Sequence, residues 1–220
     1  MNDATSRANS RFAPEPTVPV WDLLVRVGHW VLVATFAIAY LTGDDLLTTH
    51  VWAGYAVGVY VLVRVVWGFV GSKHARFADF LFSPVKGLKY LVDLLRRRSP
   101  RYLGHSPAGA MMVFALLLSL TGTVVTGTAE LALSRGEGPL ALVLAQRDGT
   151  AADAQAQTAD ESRHEESAMQ EIHELLANLT LILIAFHVAG VILASVVHKE
   201  SLLLAMFTGR KRANSSGPRR

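Results

Sequence analysis

Four of the eight histidines lie in or at the edges of long apolar segments, where an ionisable side chain is costly and therefore indicates a functional site. They are His29, His50, His173 and His187. His173 and His187 are 14 residues apart, so in one α-helix their rings point to nearly the same face, about 21 Å apart along the axis. Hydrogen bonding to a neighbouring helix would explain any single histidine of this kind, but four of them indicate two sites at two depths.

Successive apolar segments cross the membrane in opposite directions, and this alternation pairs the four histidines by depth. His29 lies near the cytoplasmic end of the first segment, close to the level of His187, whereas His50 opens the second segment on the external side, level with His173. Two imidazoles on facing helices are the axial ligands that a six-coordinate haem needs, because the porphyrin supplies the other four nitrogens. A tetrahedral zinc site would need more ligands at each level. The pattern predicts one iron between His29 and His187, and another between His50 and His173.

Two arginines are candidates to bind the propionate groups of such a haem. Arg64 follows His50 by 14 residues, so it lies on the same helix face about 21 Å deeper, near the cytoplasmic level. A lone Arg at that depth needs either an anion or a path to the headgroups, and a propionate is a suitable anion. Arg26, one turn before His29, is the second candidate, although basic residues also flank many membrane helices.

The elements that must position these side chains are four apolar segments. The chain has 220 residues, of which 51% are hydrophobic and 18% charged. The segments are each about 20 residues long, enough to cross a hydrocarbon core of roughly 30 Å. They run over residues 23–41, 50–70, 107–128 and 173–197. A stretch at 77–98 alternates apolar and basic residues and predicts an amphipathic helix in the membrane interface, broken around Ser83 and Pro84. The predicted fold is all-α: an integral membrane four-helix bundle with an interfacial amphipathic helix between helices 2 and 3.

The distribution of Lys and Arg orients this bundle. The connection between the second and third segments holds eight basic residues and the C-terminal tail six. The connection between the third and fourth holds only Arg135, Arg147 and Arg163, against nine acidic residues. The positive-inside rule therefore predicts that both termini are cytoplasmic. The predicted domains are a disordered, Pro-rich tail (1–20), a transmembrane domain (21–198) with an external loop at about 129–171, and a basic cytoplasmic tail (199–220).

Composition excludes several classes of site. The chain has no cysteine, which rules out disulfides, Cys-ligated zinc, iron–sulfur clusters and covalently attached c-type haem. A net charge of +3 could suggest nucleic acid, but here the basic residues segregate by loop and form no basic face. The remaining metal donors are His and carboxylate, which leaves non-covalent haem as the simplest use of the intramembrane histidines.

Several short runs resemble bacterial di-haem cytochromes b of the cytochrome b561 or nickel–iron hydrogenase b-subunit type. The run from Trp21 to Trp30, WDLLVRVGHW, is similar to the start of helix 1 in that family. Further similar runs, which together with the first cover about residues 20 to 212, are HVWAG at 50–54, RVVWG at 64–68, GHSPAGAMM at 104–112, HELLAN at 173–178, HVAG at 187–190, and the tail at 198–212.

This resemblance implies a bundle in the bacterial inner membrane that binds two haem b groups non-covalently, with the four named histidines as axial ligands. It also implies electron transfer between the quinone pool and a redox protein partner, which could be a cytochrome c, a hydrogenase or another periplasmic oxidoreductase. The oligomeric state is left open, with a homodimer among the alternatives, and lipid surrounds the bundle. Quinone chemistry needs a proton-accepting site. The candidates, chosen only because their side chains can ionise, are Asp22, His105, Glu174 and His198.

Two other functions remain open from the residues alone. A haem-free small transporter or proton-coupled channel would also place His and Arg64 within the membrane. It would need polar residues between the two histidine levels, yet the stretch from Leu179 to Phe186 offers only Thr180. The third alternative is a membrane anchor subunit of a periplasmic oxidoreductase complex, in which haem has no role or is absent.

Overall fold

Four helices of the computed structural model are long and apolar enough to cross a membrane. The structure describes residues 16–43, 45–141, 143 and 158–213. Its membrane-crossing helices are α1 (Leu23–Thr42), α2 (Leu47–Val70), α4 (Pro107–Arg135) and α5 (Thr158–His198), of which Ala168–His198 is the apolar part. The shorter elements are a 3₁₀ turn (Phe77–Asp79), α3 (Pro84–Leu95), α6 (Leu202–Thr208) and two strands, β1 (Thr17–Pro19) and β2 (Arg210–Arg212). The all-α bundle with four spans and an interfacial helix is thereby confirmed.

Polar caps fix where the helices begin. The Asp22 carboxylate accepts a hydrogen bond from the Val25 N–H at 2.8 Å and starts α1. The Ser106 hydroxyl accepts from the Gly109 N–H at 3.2 Å, and Pro107 occupies the first turn of α4, where its missing N–H costs nothing. Ser83 caps α3 in the same way. The Ser83–Pro84 pair therefore starts the interfacial helix, whereas the sequence predicted a longer helix broken at that point.

The external connection is shorter in the structure than the sequence predicts. Helix α4 continues to Arg135, and α5 begins at Thr158, inside the stretch predicted as a loop over about 129–171. The residues at the start of α5 are polar, but four of the fourteen at 158–171 are Glu and two are Ala, which are strong helix formers. Polarity here marks a helix that extends beyond the apolar layer.

The helices pack as two pairs, with α1 against α2 and α4 against α5, and α2 joins the pairs by packing on α4. Val57, Val61 and Leu120 form the buried apolar cluster where the pairs meet. On the outer surface large apolar side chains are exposed, including Leu118 at 77% and Phe186 at 64%. In a bilayer these side chains contact acyl chains, as the sequence predicted for a multi-pass membrane protein.

Both described ends of the chain meet at one face of the bundle. Strand β1 pairs antiparallel with β2, with Val18 opposite Lys211. The Glu200 carboxylate binds the Arg101 guanidinium at 2.8 Å and accepts from the Arg212 N–H at 3.0 Å. Burial raises the pKa of Glu200, but these hydrogen bonds lower it by more, so its net pKa lies below the usual value. This pairing places both described ends at the same face of the bundle and includes Thr17–Pro19, inside the tail predicted as disordered, in a strand. That this face is cytoplasmic stays a prediction.

Candidate functional site

The external-side histidines face each other across α2 and α5. The ring centroids of His50 and His173 are 5.9 Å apart. His50 Nδ1 lies 2.8 Å from the Ala39 carbonyl oxygen, and His173 Nδ1 lies 2.9 Å from the Thr123 carbonyl oxygen. A carbonyl only accepts hydrogen bonds, so each Nδ1 carries the proton and each Nε2 is the nitrogen available to a metal.

The cytoplasmic-side histidines form a second pair between α1 and α5. The ring centroids of His29 and His187 are 6.5 Å apart. His29 Nδ1 is buried and has no hydrogen-bond partner among the residues that the structure describes. The Trp30 ring packs edge-on against His29 with centroids 5.2 Å apart. The structure thus pairs the histidines as the sequence predicted, while their role as ligands stays a prediction.

The spacing of each pair would allow both imidazoles to bind one metal ion. Two imidazoles that each bind a metal through a bond of about 2 Å have ring centroids roughly 6 Å apart, which both measured distances approach. Within the described ranges there is no cluster of three or more His, Cys, Asp or Glu that could hold a metal alone. A macrocycle that supplies four nitrogens removes the need for such a cluster.

Open space next to one histidine of each pair fits a flat macrocycle. A Cβ added at Gly54, one turn after His50, would meet no atom within 4 Å, and the same holds at Gly190, three residues after His187. Two further glycines lie where helices approach closely. A Cβ at Gly58 would lie 2.9 Å from a Val124 methyl carbon on α4, and one at Gly122 would lie 3.1 Å from a Leu176 methyl carbon on α5.

Unpartnered donors gather on the cytoplasmic half of the bundle. Within the described part of the chain, Arg26 Nε, Trp30 Nε1 and Arg64 Nη1 are buried without a hydrogen-bond partner. Each of these nitrogens can only donate, and a buried donor without an acceptor costs about 1–3 kcal/mol. Another Arg26 nitrogen donates to the Phe207 carbonyl, and the Arg64 guanidinium lies 5.2 Å from the centroid of the Phe77 ring. Propionate carboxylates are acceptors of the kind that these donors need, so the residues fit a haem.

The region between the two histidine levels is closed by packing. Thr180 is fully buried, and its hydroxyl lies 2.7 Å from that of Ser119. It also donates to the Leu176 carbonyl in its own helix. The polar group that could have begun a path through the bundle is therefore satisfied inside the protein, which argues against the transporter or channel.

A cavity of about 270 Å³ opens on the cytoplasmic side beside the start of α4. His74, Asp79, Phe80, Tyr102 and His105 are among the residues that line it. Burial, followed by the charges of Arg64, Lys211 and His74, lowers the pKa of His105 to about 3, so the imidazole is neutral at pH 7. The Phe80 ring lies 4.2 Å from the His105 ring, centroid to centroid.

Only one of the four candidate proton-accepting residues lines this cavity. His105 does so, whereas His198 Nε2 lies 3.3 Å from the Tyr90 hydroxyl and Glu174 pairs with Gln170 on α5. Asp22 accepts hydrogen bonds from Trp67 Nε1 at 3.0 Å and from the Ser72 hydroxyl at 2.5 Å. Burial raises the pKa of Asp22, but the hydrogen bonds from Ser72, Trp67 and Val25 lower it by more, so Asp22 ties the ends of α1 and α2 together as a carboxylate.

Sequence reasoning missed three groups at the histidine sites. The Ala39 carbonyl belongs to the last turn of α1, where helix carbonyls lack intrahelical partners. Gly127 lies directly against the His173 ring. Phe207 of α6 stacks on Trp30 with centroids 4.4 Å apart and covers the cytoplasmic level. Ala39 carried a signal, since it lies one turn before the end of an apolar segment, whereas the other two depend on how separate helices pack.

A model of the family described as prokaryotic cytochrome b561 matches residues 20–209 of this chain. Similar proteins include three named probable Ni/Fe-hydrogenase B-type cytochrome subunits. The one from Bradyrhizobium diazoefficiens is 28% identical over 165 residues, covering 61% of this chain and 65% of that protein. Those from Rhodobacter capsulatus and Azotobacter vinelandii are 27% and 26% identical, covering 62% and 54% of this chain and 63% of each relative. The match thus spans less than two thirds of each of these relatives, and no solved structure matches the chain significantly.

Proposed function

Because this chain belongs to the prokaryotic cytochrome b561 family, we propose that it holds two haem b groups and carries electrons across the bacterial inner membrane. The electrons pass between a redox protein partner and the quinone pool. The resemblance seen in the sequence is confirmed by the family match, and haem b is the cofactor that membership implies. The number of haems and both electron partners belong to the proposal.

The observation that supports the proposal most strongly is that the four histidines form two facing pairs at different depths. Two imidazoles face each other at 5.9 Å on the external side and two more at 6.5 Å on the cytoplasmic side. Because His173 and His187 are 14 residues apart on α5, the two sites are about 21 Å apart along that helix. Sites at two depths suit a protein that moves electrons from one membrane face to the other.

Bound haem supplies one-electron oxidation and reduction of its iron. The chain's residues would hold it: the four histidines as ligands to iron, and Arg26, Trp30 and Arg64 as hydrogen-bond donors to its carboxylates at the level of His29 and His187. The buried cluster of Val57, Val61 and Leu120 excludes water between the levels. Exclusion of water and the hydrogen bonds of the ligands are the means by which a protein sets the potential of such a site.

We place the quinone headgroup in the cytoplasmic cavity beside His105. Its volume of about 270 Å³ and its aromatic wall at Phe80 and Tyr102 suit a planar ring. His105 Nδ1 is buried with no partner among the described residues, so a neutral imidazole is available to a quinone oxygen. His74 and Asp79 line the same cavity as further ionisable groups for proton exchange with the cytoplasm.

We propose a hydrogenase as the redox partner on the external side, because the relatives named above are hydrogenase cytochrome subunits. A cytochrome c or another periplasmic oxidoreductase is the alternative. Co-purification of the full-length chain with a periplasmic hydrogenase, and reduction of its haem by hydrogen in membranes, is the expected result. Reduction by hydrogen that persists in membranes lacking the hydrogenase would contradict this partner.

The absorption spectrum of the purified protein tests the proposed function. Reduction is expected to produce a sharp α band, and pyridine extraction to recover protohaem. A colourless protein that conducts ions in liposomes would instead support the transporter. A His187→Ala variant that assembles normally and transfers electrons at the parent rate would support an anchor.

The quinone site has its own test, the binding of a quinone-analogue inhibitor to the haem-loaded protein. His105→Leu removes the polar group that faces the cavity and is expected to weaken binding about tenfold, the equivalent of about 1.4 kcal/mol. Glu174→Gln, on the external side, is the control and is expected to bind like the parent. Unchanged binding in His105→Leu would place the quinone elsewhere.

A further inference from the structure

Helix α4 contributes none of the four histidines, yet it contacts one of them at its backbone. His173 Nδ1 lies 2.9 Å from the Thr123 carbonyl oxygen and 3.3 Å from the Thr126 hydroxyl oxygen. The Thr126 hydroxyl lies 2.9 Å from the Gly122 carbonyl in its own helix and donates its proton there. Both α4 oxygens are therefore acceptors for the same Nδ1–H, and together they fix the tautomer and orientation of the ring.

Gly127 is what allows the ring to lie so close to α4. A Cβ added at Gly127 would be 2.7 Å from His173 Cε1, closer than real Cβ atoms approach, and 3.0 Å from Nδ1. The backbone does not require glycine there, since the residue lies inside a regular helix and has no positive φ. Glycine in a helix interior costs about 1 kcal/mol relative to alanine, so the space for the imidazole is the physical reason for it.

The other histidine of the pair provides a contrast. A Cβ at Gly43, just beyond the end of α1, would lie 3.6 Å from His50 Nδ1, an ordinary van der Waals contact. The backbone at Gly43 has φ of −58°, which any residue adopts. His50 therefore keeps its bond to the Ala39 carbonyl whether or not residue 43 is glycine, whereas His173 keeps its bond to Thr123 only if residue 127 lacks a side chain.

We propose that Gly127 is a positioning residue for the external haem, with Thr126 in a smaller supporting role; this rests on the proposed function. Hydrogen bonding at Nδ1 makes the imidazole a stronger donor to the metal and favours the oxidised iron. A side chain at residue 127 pushes the ring away from the Thr123 carbonyl, weakens that bond and raises the reduction potential of the external haem alone.

The test compares Gly127→Ala with Gly43→Ala in the haem-loaded protein by redox titration and by the electron paramagnetic resonance of the oxidised haems. In Gly127→Ala the reduction potential of the external haem is expected to rise. The ratio of reduced to oxidised haem at a fixed potential increases by a factor of ten or more, the equivalent of about 59 mV for one electron. Its resonance position changes as the ring rotates. The cytoplasmic component stays at the parent potential, and Gly43→Ala matches the parent in both components.

Gly127→Ala that matches the parent in potential and resonance overturns the positioning role while leaving the two-haem function intact. A parent protein without haem overturns the proposed function itself, and the positioning role with it. If Gly127→Ala does not accumulate in membranes, the same redox titration of Thr126→Val tests the proposal. A smaller upward shift of the external component, reversed in Thr126→Ser, supports the proposal, and an unchanged potential overturns it.

Discussion

The two histidine pairs lie in the same bundle but are held in different ways. On the external side both Nδ1 atoms donate to backbone carbonyls, of Ala39 and of Thr123. On the cytoplasmic side His29 Nδ1 and three donor-only nitrogens are buried without a partner in the described part of the chain. The external site is arranged by the protein backbone, whereas the cytoplasmic site has donors that a bound carboxylate would satisfy.

A bound cofactor would complete a different part of each site. Backbone carbonyls orient a ligand whatever is bound, since they are fixed by the helices that carry them. Arg26, Trp30 and Arg64 instead offer hydrogen bonds that only an additional acceptor can accept. We therefore expect both haems to require their paired histidines, and the cytoplasmic haem to depend in addition on donors to its propionates.

The largest effect is expected from removal of one axial ligand at each level. If each pair binds one haem as proposed, His187→Ala would leave the cytoplasmic site with one histidine, and His173→Ala would do the same at the external site. Each variant is expected to lose one haem of two, measured by pyridine extraction per chain. Loss of both haems in either variant would show that the two sites do not assemble independently.

The next largest effect is expected at Arg64, whose positive charge lies near the cytoplasmic histidine pair and far from the external one. Hydrogen bonds to a charged group contribute about 1.5–3 kcal/mol, so Arg64→Leu is expected to weaken cytoplasmic haem binding roughly 10- to 150-fold. Loss of the nearby cation also lowers the reduction potential of that haem. Arg64→Lys keeps the charge, so the reduction potential of the cytoplasmic haem is expected to stay close to that of the parent, while its binding affinity falls. An unchanged cytoplasmic potential in Arg64→Leu would mean that Arg64 serves packing alone.

A third effect concerns pH and the cytoplasmic side. Burial, with the charges of Arg64, Lys211 and His74, lowers the pKa of His105 to about 3, so the folded protein keeps this imidazole neutral where the unfolded chain protonates it. The unfolded state binds the extra proton between about pH 6.5 and pH 3, and stability falls as pH falls through that window. From pH 7 to pH 5 the loss is about 2 kcal/mol.

The thermal unfolding midpoint of the detergent-solubilised protein measures this loss. His105→Gln cannot be protonated and is expected to flatten the decrease between pH 7 and pH 5. Equal slopes for the parent and His105→Gln would show that other groups set the acid sensitivity.

The smallest effect is expected at Trp30. Trp30→Phe keeps an aromatic ring against Phe207 but removes the indole N–H, a neutral donor that contributes about 0.5–1.5 kcal/mol. Cytoplasmic haem affinity is expected to fall roughly 2- to 12-fold. Trp67→Phe is the control, because Trp67 Nε1 already donates to Asp22 at 3.0 Å. An equal loss in both variants would indicate a general change in packing.

Much of the architecture could be predicted because the membrane restricts it. Apolar length predicted the four spans, which the structure confirms. The orientation predicted from the Lys and Arg distribution stays a prediction. The 14-residue spacing of His173 and His187 on one helix then gave two levels and the correct partners. These inferences need only helix geometry and depth, both of which are local properties of the sequence.

What the sequence could not predict depends on contacts between distant parts of the chain. The strand at Thr17–Pro19 exists only because Arg210–Arg212 pairs with it. Gly127 resembles any other membrane-helix glycine until α5 is placed against α4, whereas Gly54 and Gly190 face open space. The start of α5 at Thr158 was missed because its polarity suggested a loop, although its composition favours a helix.

The most direct test of the account is the number of haems per chain in the purified full-length protein. Pyridine extraction, with protein concentration from amino-acid analysis, is expected to give two protohaems per chain that titrate as two one-electron components. His173→Ala is expected to remove one of these redox components and His187→Ala the other. One haem per chain, or a component that survives in both variants, would contradict a site between two histidines at each level.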